Sequence, residues 1–178
     1  DEKAIIFVNV SEAPTGSLNF GVGYSTDTQL TGSLSLSERN LLGKGQKLNL
    51  NLSLSENSQG LSFGFVDPAF LNRAVSAGVN LNFKKVDPSE STYTSNSSSL
   101  SPTLGFRAGP NSKMALSYEI ENLTINSKES LSEVLKNDDG NYLNSSIKSS
   151  FIYDKRNSIV EPTHGYIVRL SNSLSGVG

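Results

Sequence analysis

Few side chains in this sequence have the types and spacing that chemistry requires. Glu119 and Glu121 fall on one face of an alternating segment, as an acid/base pair would, but no nucleophile or pKa-shifting partner accompanies them. His164 is the single histidine, set in Pro162-Thr163-His164-Gly165, and no Ser and Asp constellation completes a triad with it. Asn137-Asp138-Asp139-Gly140 offers oxygens to a hard cation but lacks the spaced ligands and closing Glu of a calcium loop, so it is expected to be a turn. Gly21-Val22-Gly23 and Gly43-Lys44-Gly45 stand in the wrong context for phosphate, which needs glycines opening a helix after a buried strand. With no Cys, disulfides, thiolate metal sites and thiol nucleophiles are excluded. The sequence therefore predicts no catalytic, metal or cofactor site, and no enzyme. A net charge of -2 provides no basic footprint for nucleic acid, which is excluded as a partner.

What the sequence does carry is alternation. Leu18, Phe20, Val22 and Tyr24 occupy one parity, with Asn19, Gly21 and Gly23 between them, the period of a two-faced strand. The pattern returns in Leu30, Leu34 and Leu36; in Leu48, Leu50, Leu52 and Leu54; in Leu61, Phe63 and Phe65; and in Val75, Ala77, Val79, Leu81 and Phe83. Leu104 and Phe106, then Met114 to Ile120, then Phe151 and Tyr153, and lastly Tyr166 to Leu174 complete about nine strands. Turn signals such as Gly43-Lys44-Gly45, Asp67-Pro68 and Gly109-Pro110-Asn111 separate neighbours, which predicts an up-and-down antiparallel meander. Ser89 to Ser99 is expected to be a flexible loop whose end merges into the next strand. Lys128 to Asn137, with Leu131, Val134 and Leu135 at helical spacing, is expected to be a short surface helix.

A soluble β-sandwich buries its apolar face and exposes one rich in charge. Here the second face is Ser, Asn and Gly, while charge gathers in turns such as Glu38-Arg39, Lys84-Lys85 and Asp154-Lys155-Arg156. That composition suits a wall with lipid on one side and a wet lumen on the other. Thr15 to Ser25, Gln46 to Glu56 and Ala74 to Lys84 have the roughly 9–11 residues that a tilted transmembrane strand needs. Tyr24, Tyr93, Tyr118, Tyr142, Tyr153 and Tyr166 lie mostly near strand ends or in loops, as interfacial girdle residues would. Bacterial single-chain barrels have even strand counts, so further strands are expected beyond Gly178 and the sequence is read as a fragment.

Four segments resemble a known family. The run from Glu12 through Ser25 (Glu-Ala-Pro-Thr-Gly-Ser-Leu-Asn-Phe-Gly-Val-Gly-Tyr-Ser), followed by Ser37-Glu38-Arg39-Asn40-Leu41-Leu42-Gly43-Lys44-Gly45-Gln46, is similar to the start of the barrel in the outer-membrane protein assembly factors. Phe65-Val66-Asp67-Pro68-Ala69-Phe70-Leu71 resembles that family's DPYF-type turn, with Ala69 in place of the usual Tyr. Tyr153-Asp154-Lys155-Arg156-Asn157 and Pro162-Thr163-His164-Gly165-Tyr166 resemble its YD.RD and P..GY segments, with Asn157 where Asp is commoner.

The resemblance implies an all-β fold: residues 14–178 as the first half of a 16-stranded antiparallel transmembrane barrel, and residues 1–13 as the last strand of a periplasmic POTRA domain. It implies an outer-membrane insertase that folds β-barrel clients, with unfolded client proteins, accessory lipoproteins and outer-membrane lipid as partners. The working part would be a lateral gate at the first strand: Thr15, Gly16, Ser17, Leu18, Asn19, Phe20, Gly21, Val22, Gly23 and Tyr24. With a periplasmic N-terminal end, the turns near 41–46, 67–73, 109–113 and 157–165 would all face the periplasm. Alternatives are a related translocation and assembly module subunit or two-partner secretion translocator, a passive porin, and a soluble β-sandwich binding module.

Overall fold

The structure is a computed structural model and describes residues 7, 9, 11–26, 29–88, 93–128 and 139–176. Nine strands form it: β1 (Gly16–Ser25), β2 (Gln29–Leu41), β3 (Gln46–Ser55), β4 (Ser58–Asp67), β5 (Val75–Val86), β6 (Tyr93–Gly109), β7 (Ser112–Ser127), β8 (Gly140–Asp154) and β9 (Ile167–Ser175). They form one sheet in chain order, each antiparallel to the next, with one 3-10 turn among the described residues, at Phe70–Asn72. The alternating pattern thus yields the expected nine-stranded meander. The four turns at 42–45, 68–74, 110–111 and 155–166 share one end of the sheet, which we call the turn end. The predicted POTRA strand over 1–13 falls mostly outside the described residues, and the predicted helix over 128–137 lies outside them apart from Lys128.

Register converts alternation into two continuous faces. Across β1 to β7, Leu18, Leu36, Leu50, Phe63, Leu81, Leu100 and Ile120 stand opposite one another in a single row. Their sequence neighbours give a second row, Asn19, Ser35, Asn51, Ser62, Asn82, Ser99 and Glu121 on the other face. Cross-strand partners are the unit of sheet stability, and within these two rows like pairs with like. The polar face is knitted sideways: Ser35 Oγ donates to Asn51 Oδ1 at 2.7 Å, Ser37 Oγ to Asn49 Oδ1 at 2.9 Å, and Thr103 and Ser117 hydroxyls meet at 2.7 Å. Among the described residues no hydrophobic side chain is buried, because no second layer covers the apolar face. A β-sandwich is not what these strands build.

Two expectations need correction. Residues 93–99 are strand, not loop: Tyr93 through Ser99 pair with Ser127 through Glu121. This stretch lies beyond the apolar band and residues 94–99 are polar on both faces, so the strand is held by its ladders and by polar contacts such as Asn82 Nδ2 donating to Ser99 Oγ at 3.3 Å. The tyrosines do not form one girdle. Tyr24, Tyr153 and Tyr166 flank the apolar face, the last two with rings 5.9 Å apart, whereas Tyr118 sits inside that face and Tyr93 and Tyr142 have the parity of the polar one.

Candidate functional site

The predicted gate residues form one element. β1 starts at Gly16, and Thr15 extends its ladder by accepting the Arg39 N–H at 3.2 Å. β1 stands at one edge of the sheet and β9 at the other. Its inner side pairs with β2 through ten residues, Gly16 opposite Glu38 to Ser25 opposite Gln29. Its apolar side chains are more exposed than those of the central strands, with Phe20 at 77% and Val22 at 83%.

Three of the β1–β2 pairs carry little side chain. Gly21 faces Ser33, Val22 faces Gly32 and Gly23 faces Thr31, so three consecutive pairs each lack a side chain on at least one strand. On the apolar face alone, β1 and β2 pair Leu18 with Leu36, Phe20 with Leu34, Val22 with Gly32 and Tyr24 with Leu30. There β3 and β4 pair Leu48 with Phe65, Leu50 with Phe63 and Leu52 with Leu61, with glycine confined to their polar-face pairs Asn49–Gly64 and Ser53–Gly60. Crowding does not require these glycines. A Cβ on Gly23 would meet no heavy atom within 4 Å, and at Gly16 and Gly21 the nearest atoms are the movable ends of Glu38 and Ser33. Gly78 differs, since a Cβ there would stand 3.0 Å from the Phe65 carbonyl oxygen.

The turn at 155–166 is held by side-chain and backbone hydrogen bonds. The Arg156 guanidinium is 2.6 Å from Asp154, while Asn157 Oδ1 accepts the Thr163 and His164 backbone N–H groups, both at 3.1 Å. Gly165 closes it at φ +103, where a Cβ would lie 2.3 Å from the Lys155 carbonyl oxygen. His164 therefore belongs to a turn scaffold. Gly43 and Gly45 likewise adopt positive φ in a tight turn, and Gly21 and Gly23 lie within β1. Glu119 and Glu121 share the polar face. Glu119 accepts from Ser101 at 2.9 Å and Lys148 at 2.6 Å.

Sequence reasoning missed a concavity of about 670 Å³ at the turn end of the polar face, whose lining includes Lys47, Arg73, Arg107 and Lys113. Three of these four lie on strands at the parity of the polar residues, a signal visible only once the register is known.

The sequence is similar to the outer membrane protein assembly factor BamA of Neorickettsia risticii, 25% identical over 99% of this chain and 24% of that protein. It is also similar to BamA of Neisseria meningitidis, 34% identical over 49% of this chain and 11% of that protein. The chain thus spans about a quarter of the length of the first of these relatives. The crystal structure of BamA from Haemophilus ducreyi lacking POTRA domains 1–3 shares the fold, with a TM-score of 0.63 and 24% identity over 92% of this chain and 34% of that one. The Omp85 superfamily domain matches residues 40–178, from the end of β2 through β9, and with the two-faced sheet in place the chain belongs to the Omp85 superfamily.

Proposed function

We propose that this chain supplies the leading half of an outer-membrane barrel that inserts and folds other β-barrel proteins, with β1 as the working edge. Residues 14–178 would be the first eight to nine of 16 strands, residues 1–13 the end of a POTRA domain, and the turn end would face the periplasm. Unfolded barrel proteins would be the clients and accessory lipoproteins the partners, with chemistry limited to strand exchange.

The observation that carries this reading is the composition of the β1–β2 pairs. A strand edge is a template onto which another strand adds by backbone hydrogen bonds. An unpaired edge in hydrocarbon costs several kcal/mol per orphan group, so a working edge needs a closing partner that can leave. The glycine-facing pairs of β1 lower the cost of moving that strand, and the leucine- and phenylalanine-rich pairs of β3 and β4 keep the wall behind it rigid.

The test is a reversible lock in the full-length protein. Phe20→Cys, paired with a Cys in the strand that closes the barrel, should form a crosslink that stops client insertion into proteoliposomes, and reductant should restore it. Undiminished insertion by the locked protein would refute the gate.

A further inference from the structure

We infer that the polar face at the turn end binds an acidic, extended polypeptide segment through Lys47, Arg73, Arg107 and Lys113. These four exposed cations line one concavity whose lining contains no acidic residue. Arg107 and Lys113 stand directly opposite each other in the β6–β7 ladder. Like charges facing across a ladder destabilise it, and neither residue forms an ion pair among the described residues. One step further along the same row, Ile152 faces Lys113 on one side and Arg169 on the other, so the row reaches a further cation on β9, whose charge also acts on the Asp154 carboxylate. A bound polyanion would offset this repulsion.

Geometry and surroundings select the occupant. From Lys47 on β3 to Lys113 on β7 is four strand spacings, about 19 Å across the strands at ~4.8 Å each, and four residues, about 13 Å, along them, because the row of Lys47 reaches β7 at Ser117. One phosphate or carboxylate cannot reach both ends, whereas an extended chain with several carboxylates can. The floor between the cations is Ser76, Gly105, Ala115 and Ser150, small side chains that leave room for a backbone. Acyl chains find only a short seat here: the large apolar side chains stand mainly on the opposite face, and in this lining Val66 and Ile152 are the two that share the strand face of the cations. A lipid headgroup therefore fits less well than a water-borne peptide.

The inference uses the proposed assembly role only in taking the polar face as wet, and the two can fail separately. The probe is fluorescein-labelled decaglutamate, titrated against the full-length protein in neutral detergent at low and high salt, with decalysine as control. Decaglutamate should bind, decalysine should not, and salt should weaken binding. Arg107→Gln with Lys113→Gln should raise Kd about tenfold, while Arg107→Lys with Lys113→Arg should retain binding and shows that folding is intact. An unchanged Kd in the Gln pair overturns the site. So does competition by phosphatidylglycerol micelles stronger than that by unlabelled decaglutamate, which would assign the cations to lipid. Client insertion measured on the same preparations reports independently on the gate.

Discussion

Lys148 Nζ lies 2.6 Å from Glu119 Oε1 across the β7–β8 ladder, while Ser101 on β6 donates to the other carboxylate oxygen at 2.9 Å. Glu119 therefore ties three strands together at the place where the β6–β7 ladder skips Ser101 and Pro102. Proline has no N–H to give, so a side chain supplies the lateral bond that the backbone lacks. Ser101 and Ser146, the residues on either side of Glu119, are among the few buried side chains of the sheet.

A double-mutant cycle tests this clamp. Glu119→Gln and Lys148→Gln should each lower the urea midpoint of the full-length protein, with a coupling of about 0.5–1 kcal/mol, since Lys148 is half-exposed and screened by solvent. Additive single effects would show that the pair contributes nothing.

The strands were legible because period 2 survives wherever one face meets something apolar. Leu48 to Leu54 and Val75 to Phe83 announce themselves in this way. Tyr93 to Ser99 does not: with water on both faces, selection for alternation disappears, and only the ladder to Glu121–Ser127 reveals the strand. β1 could be located in the sequence, but the emptiness around Gly23 could not, since it depends on which residues β2 places opposite. The same holds for Glu119 and Lys148, and for Arg107 facing Lys113: a period identifies a face, whereas a charge pair requires the register.

If the apolar face meets lipid, neighbouring positions should differ sharply. Leu50→Arg puts a guanidinium at mid-height of the apolar face and should cost about 2–4 kcal/mol of folding free energy in bilayers. Asn51→Arg, one residue on and facing the other way, should cost under ~1 kcal/mol. Urea titration of folding into vesicles measures both, and equal costs would refute the assignment of faces.

Two glycines should respond in opposite directions. Gly165→Ala forces a Cβ against the backbone of Lys155 and Arg156 at positive φ, and should cost about 3 kcal/mol or more. Gly23→Ala enters open space in an extended strand and should stabilise by about 0.5 kcal/mol. If the weakness of β1 matters to function, Gly23→Ala should also slow client insertion although the fold gains stability. An unchanged insertion rate would separate the glycine from the gate.

Acid should release the far end of the sheet. Lys128 Nζ lies 2.8 Å from Asp87 Oδ1 and donates to the Pro88 carbonyl oxygen at 2.7 Å, joining the end of β7 to the segment that leaves β5. The hydrogen bond from Lys128 holds the Asp87 carboxyl below its ordinary range, helped by the charges of Lys128 and Lys85 against a smaller desolvation effect. A folded pKa below the unfolded one stabilises fully above the unfolded value, near ~3.9, and that contribution is lost as pH falls through the folded value. Amide exchange at the ends of β5 and β7, normalised to the intrinsic rate at each pH, should therefore be constant from about pH 7 to 5 and accelerate below about pH 4. Asp87→Asn should exchange faster at neutral pH and lose the acid step. An acid step of the same size in Asp87→Asn would place the titrating group elsewhere.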